Sequence, residues 1–221
     1  KKYTTNGKIY YKANYSNNIL NGVVTKWHQN EELYYTGEYK DNLKHGEFKK
    51  WHKNGKISDK KSFEEGLCNG LWNKYNKTGQ LYYEGNYKDG IKNGLVKKYN
   101  KTGQLSYEGH YKNGLKEGVF RKWYKNGKIS DEKYYKSGLY HGIWKRWSET
   151  GQLYSKENYQ SNLLNGLSIR WNEKGELYYK GNYKDGAKSG IFKKYYKNGK
   201  LLYAGSYSKG KKDGGFKKYK E

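Results

Sequence analysis

Tyr83-Glu84-Gly85-Asn86-Tyr87-Lys88-Asp89-Gly90-Ile91-Lys92-Asn93-Gly94-Leu95-Val96-Lys97-Lys98-Tyr99-Asn100-Lys101-Thr102-Gly103-Gln104-Leu105-Ser106 is one 24-residue unit, and the next opens at once with Tyr107-Glu108-Gly109-His110-Tyr111. The same spacing runs across the whole sequence. One glycine recurs in steps of 24 from Gly22 through Gly94 to Gly214, with no insertion or deletion. An aromatic recurs from Tyr3 and Trp27 through Trp123, Trp147 and Trp171 to Tyr219. A second aromatic column runs from Tyr15 through Tyr87 to Tyr207, and a branched aliphatic from Ile9 through Leu105 to Leu201. A fixed period held over nine units is the signature of a stacked repeat architecture.

Each unit reads as two strands and two turns. Gly190-Ile191-Phe192-Lys193-Lys194-Tyr195 exemplifies the first strand, and the Asn198-Gly199 that follows is a hairpin signal. In the second strand Leu81, Tyr83, Gly85 and Tyr87 share a face, while Tyr82, Glu84 and Asn86 point the other way. Asp89-Gly90, Asn113-Gly114 and Asp185-Gly186 start the return turns. Turns this short join only antiparallel neighbours. The expected fold is all-β: a single elongated, twisted antiparallel meander of nine 24-residue hairpin repeats, one domain over residues 1–221. At about 4.8 Å per strand, roughly eighteen strands make a rod on the order of 85 Å long. Twist should curl the sheet so that its aromatic face becomes concave and partly covers itself. The strand glycines at Gly37, Gly85, Gly109, Gly181 and Gly205 are expected to leave room for a Tyr or Trp ring over bare backbone.

The pattern Tyr83-x-Gly85-x-Tyr87-x-x-Gly90-x-x-x-Gly94-x-x-x-x-Tyr99-x-x-x-Gly103 resembles the MORN repeat, and the bacterial variant more than the eukaryotic form. The resemblance covers essentially the whole chain. It departs from the pattern in an extra residue per unit and in Lys61, Lys133 and Glu157 within the glycine column. It implies an elongated antiparallel sheet and a role in binding and scaffolding, with membrane-lipid association for some members.

Composition constrains function less tightly. Hydrophobic residues are 33% and the formal net charge is +25, values that in a sequence without repeats would indicate disorder. The 28 tyrosines and 7 tryptophans reverse that reading, because such rings bury large areas while keeping one polar edge wet. The single cysteine, Cys68, leaves no internal disulfide framework and no cysteine-based zinc site. No apolar run approaches a membrane span. Exported or cell-surface placement follows if an N-terminal signal was removed from this sequence, which does not begin with Met; otherwise the placement is cytoplasmic.

No catalytic, cofactor-binding or metal-binding set stands out, and no small-molecule substrate is implied. His28 and His52 share a column but should lie about 10 Å apart, too far to chelate one metal. Two surfaces are candidates for binding. The first is the aromatic concave face, with Tyr83, Tyr107, Tyr179, Trp123, Trp147 and Trp171, which would take a protein partner. The second is a basic ladder, Lys50, Lys74, Lys98, Lys122, Arg146, Arg170 and Lys194, which by parity faces away from the Trp/Tyr column beside it. That ladder suits an anionic lipid surface or a polyanion such as nucleic acid or glycan; it equally suits a solvated face that keeps the sheet soluble. Asp59 with Lys61, and Asp131 with Lys133, put charges where other units show Tyr and Gly. They are either rim ion pairs or notches that set where a partner docks.

Overall fold

The computed structural model describes residues 1–220. Every regular element is a strand, from β1 (Lys2–Tyr3) to β22 (Lys211–Lys218). Twenty of the 22 strands belong to one antiparallel sheet in meander order. β3 (Tyr15–Ser16) and β4 (Ile19–Leu20) form a separate hairpin. The chain divides into two compact units, residues 1–105 with 111–114, and residues 106–110 with those from 115 onward. In the first, β5 (Gly22–Trp27), β6 (Leu33–Lys40), β7 (Leu43–Trp51), β8 (Ile57–Glu64), β9 (Leu67–Tyr75), β10 (Leu81–Lys88) and β11 (Ile91–Tyr99) pair in sequence. In the second, the same succession runs from β13 (Leu115–Trp123), β14 (Ile129–Lys136), β15 (Leu139–Trp147) and β16 (Leu153–Gln160) onward. There β17 (Leu163–Leu164) and β18 (Gly166–Trp171) both pair with β16, and β19 (Leu177–Lys184), β20 (Ala187–Tyr195), β21 (Leu201–Ser208) and β22 follow in turn.

The two turns of a unit differ in chemistry. The return turn is a two-residue reversal in which both residues have positive φ, as at Asp89 (50°) and Gly90 (78°), the primed geometry that matches strand twist. The Asn-Gly turn is a three-residue loop instead. Gly55 N–H donates to the His52 carbonyl at 3.0 Å, His52 N–H closes the hairpin on Lys56, and Gly55 adopts φ 75°. This is a type I turn followed by a left-handed glycine bulge; a separate register shift follows farther from the turn, where Trp51 pairs with Ile57 and Lys50 with Asp59. Repeats are also tied to each other through the return turns. Gly66 N–H donates to the Lys44 carbonyl, Gly90 to Cys68, Gly138 to Lys116 and Gly210 to Lys188, each at 2.8–3.0 Å.

The inner face is closed by its own side chains. Val24, Phe48 and Val96 in the first unit are buried, as are Phe120 and Phe192 in the second; none is more than 4% exposed. At Gly85 the ring over the strand glycine is the expected tyrosine, Tyr83, whereas at Gly37, Gly109, Gly181 and Gly205 it belongs to phenylalanine. A Cβ on Gly37 would meet Phe48 Cδ1 at 2.2 Å, one on Gly109 would meet Phe120 at 2.0 Å, and one on Gly181 would meet Phe192 at 2.3 Å. The two tyrosines flanking the glycine lean together above it. Hydroxyls pair at 2.9 Å for Tyr35 with Tyr39, 2.7 Å for Tyr83 with Tyr87 and 2.8 Å for Tyr179 with Tyr183. The Tyr-x-Gly-x-Tyr motif therefore builds a roof of two hydrogen-bonded phenols, and the next strand's Phe, or Val96 opposite Gly85, lies beneath it.

Candidate functional site

The aromatic residues expected to line an open groove are largely spent on this packing. Tyr83, Tyr107 and Tyr179 are half-buried. Burial, then the hydroxyl pair, pushes the phenols of Tyr83 and Tyr179 well above their ordinary range. Trp123, Trp147 and Trp171 are half-buried at the strand ends, paired with Ile129, Leu153 and Leu177 across the bulged register.

The basic ladder lies on the same face as these tyrosines. Lys50 is opposite Tyr35, Lys98 opposite Tyr83, and Arg170 and Lys194 are both opposite Tyr179; directly opposed residues share a face of the sheet. The extra residue at the register shift is Ser58 on the facing strand, since Lys50 pairs with Asp59 and Trp51 with Ile57. The ladder cations cap the inner rings at one margin: Lys74 lies 4.3 Å from the Trp72 ring centre, Arg146 4.8 Å from Trp144 and Arg170 5.8 Å from Tyr179. A second lysine row caps the opposite margin, with Lys44 4.8 Å from Phe63, Lys116 4.5 Å from Tyr135 and Lys188 4.7 Å from Tyr207. These are cation–π distances. Lys50 and Lys122 remain exposed.

The charged substitutions are built into the core. Lys61 stands opposite Trp72 and its ammonium lies 3.6 Å from the indole centre, while the indole N–H donates to Asp59 at 2.9 Å. The arrangement recurs three repeats later: Lys133 lies 4.0 Å from Trp144, whose N–H reaches Asp131 at 3.4 Å, and Lys133 pairs with Asp131 at 3.9 Å. Asp59 also sits between ladder cations, opposite Lys50 on one strand and Lys74 on the other. Burial depresses the Lys61 ammonium. Glu157, the third departure, is 2% exposed and accepts from Arg170 Nη2 at 2.9 Å and Tyr159 at 3.0 Å.

Two features escaped the sequence reading. One is an aliphatic column on the return turns, with Leu43, Leu67 and Ile91 in the first unit and Leu115, Leu139 and Leu163 in the second, all about half exposed. Leu43 lies against the turn glycine of the following repeat, where a Cβ on Gly66 would meet its Cδ2 at 3.4 Å. Lysine stands opposite the column at Lys40–Leu43, Lys88–Ile91 and Lys136–Leu139. The 24-residue recurrence of Leu and Ile was the available signal.

The other is a set of staples between successive Asn-Gly-type turns. Tyr124 Oη donates to the Trp147 carbonyl at 2.7 Å and Tyr196 to that of Tyr219 at 2.8 Å; His28 and His52 reach Trp51 and Tyr75 in the same way at 3.1 and 2.9 Å. His28 and His52 thus serve the packing of successive turns. Among the described residues no group of three His, Cys, Asp or Glu side chains converges as a metal site would require.

The model of the MORN repeat variant matches residues 1–17, 44–65, 69–89, 92–113, 116–137, 140–161, 164–185 and 188–209, and that of the MORN repeat matches residues 35–47. This chain belongs to the MORN repeat family. The chain matches none of the curated proteins with which it was compared. MORN repeats are generally associated with binding, to proteins or to membranes. In this MORN protein the recurring Tyr, Gly and Trp columns are engaged in packing, which leaves the turn column and the lysines on the surface.

Proposed function

We propose that this protein is a non-enzymatic scaffold that binds a protein partner of acidic and apolar surface. The observation that carries this reading is the exposed aliphatic column, faced by lysines across each hairpin. Contiguous exposed apolar side chains mark partner surfaces, and a net charge of +25 selects an acidic one. The column replaces the aromatic face as the docking surface, since that face is filled by Phe48, Phe120 and Phe192.

The experiment is affinity capture from the native host with wild type, a Leu43→Ser, Leu67→Ser, Ile91→Ser triple, and a Lys50→Gln, Lys98→Gln, Lys122→Gln triple. An acidic partner held by wild type and by the glutamine variant, and lost by the serine variant, is the expected result. Retention by the serine variant would remove the column from the account. A second reading, binding to anionic lipid or polyanion, is favoured by exposed Lys50 and Lys122. It predicts flotation with phosphatidylserine vesicles that fails in moderate salt and is weakened in the glutamine triple.

A further inference from the structure

The staples are interrupted at one place in the second unit. The position that carries Tyr124 and Tyr196 is held by Ser148 and Asn172 in the two repeats between them. Neither side chain reaches the next turn. Ser148 Oγ pairs with Thr150 at 2.6 Å and accepts from Gln152 N–H; Asn172 donates to Glu176 at 2.8 Å and accepts from Lys174 N–H. Each short residue closes its own turn. Beside these two turns lies an open cleft of about 920 Å³, lined by Tyr154, Trp171 and Tyr178 together with both turns.

The polar lining has a specific balance. Glu149 and Glu173 face Lys174 and Lys197, so two carboxylates and two ammonium groups cancel. Arg146 and Lys194 stand beside the lining rings, and Arg146 is itself paired with Glu157 at 3.5 Å, so the cleft carries only a small positive excess in a chain of formal charge +25. A cationic ligand is disfavoured. Arg146 already lies 5.5 Å from the Tyr154 ring centre and Lys194 5.1 Å from that of Tyr178, so a further cation beside them meets like charge. What remains is a neutral ligand with flat apolar faces and many hydroxyls. Such a ligand stacks its C–H faces on Trp and Tyr, donates to Glu149 and Glu173, and accepts from Gln152 and the lysines. The volume lies within the range of small-molecule sites.

We propose that the cleft between the Ser148 and Asn172 turns is a binding site for a neutral oligosaccharide, with pyranose rings against Trp171, Tyr154 and Tyr178. The test is calorimetric titration of the full chain with cellohexaose, maltohexaose and chitohexaose, beside a heparin hexasaccharide and tetramethylammonium. Saturable binding of at least one neutral hexasaccharide, insensitive to salt, is expected. Ser148→Tyr restores the staple residue and puts a ring into the cleft; it should keep or raise the thermal midpoint and weaken binding by at least about tenfold. Tyr178→Ala, at an exposed ring, should weaken it similarly and decides the matter if Ser148→Tyr fails to fold. No binding of the three neutral sugars, binding of heparin or tetramethylammonium alone, or neutral-sugar binding that Tyr178→Ala and a folded Ser148→Tyr both leave unchanged would each overturn the proposal.

Discussion

The indole N–H of Trp72 donates to the carboxylate of Asp59 at 2.9 Å, so a residue thirteen positions upstream dictates which ring the next strand can carry. Where the first strand offers Tyr-x-Gly, the next supplies Phe or Val; where it offers Asp-x-Lys, the next supplies Trp. Restoring the common pattern with Asp59→Tyr and Lys61→Gly should therefore destabilise the fold, not stabilise it. The indole N–H loses its acceptor, worth about 1–3 kcal/mol, and Trp72 loses the ammonium above its face. Adding Trp72→Phe should recover most of that loss. Urea denaturation of the double and triple variants checks the coupling, and additivity of the changes would refute it.

Gly109→Ala should destabilise by about 1–3 kcal/mol or more. The new Cβ would stand 2.0 Å from Phe120 Cδ1, and Phe120 is 4% exposed and cannot withdraw. On strand propensity alone the change would stabilise, so the sign of the measured shift separates the two effects.

Tyrosine titration predicts loss of stability in alkali. Burial, then the paired hydroxyl, raises the phenols of Tyr35, Tyr83 and Tyr179, and burial pushes Tyr203 up to about 12. The fold thus holds protons that the unfolded chain releases near the ordinary value of 10.0. The stability these groups contribute is fully present below that value and is lost as pH rises from it through the folded pKa values. Lys61, depressed by burial, works in the opposite sense, one lysine against several phenols. The urea midpoint should fall between about pH 8 and about pH 11, with part of the tyrosinate absorbance appearing only on unfolding. An unchanged midpoint over that range would contradict the assignment.

Tyr124→Phe removes one staple, the bond to the Trp147 carbonyl, and keeps the ring. A cost of about 1 kcal/mol is expected, with hydrogen exchange accelerated at residues 124–128 and 148–152. Exchange unchanged at both turns would show that the staple carries no stability.

Much of this architecture was legible in the sequence. Period 24, two-residue alternation in Leu81–Lys88 and the Asp-Gly and Asn-Gly turns specify an antiparallel meander. The face of the ladder was not legible, because it is set by cross-strand register, Lys98 opposite Tyr83 and Lys50 opposite Tyr35, and not by the pattern within one strand. The core column was hidden by its varied identity, which includes Val24, Trp72 and Ser168 beside Phe48. Its signal was that four of the five phenylalanines, Phe48, Phe120, Phe192 and Phe216, share it. The cleft depends on side-chain reach, Ser148 against Tyr124, which matters only once successive turns are known to lie side by side.

The coupling of Asp59 and Lys61 to Trp72 has a consequence for how such a gene can be recombined. A crossover in the return turn at Glu65-Gly66 would separate Asp-x-Lys from its tryptophan, joining Lys to Phe or Trp to Gly, and the hybrid would inherit a misfit core. A crossover in the 76–80 loop keeps each pair on one side of the joint. The block that can be duplicated, deleted or exchanged with these pairs intact is therefore a 24-residue piece cut at equivalent points of the 76–80 and 100–104 loops, which contains the hairpin of β10 and β11. That exchangeable block is out of phase with the unit that opens at Tyr83, since its natural boundaries lie in the loops and not at the tyrosine that first draws the eye.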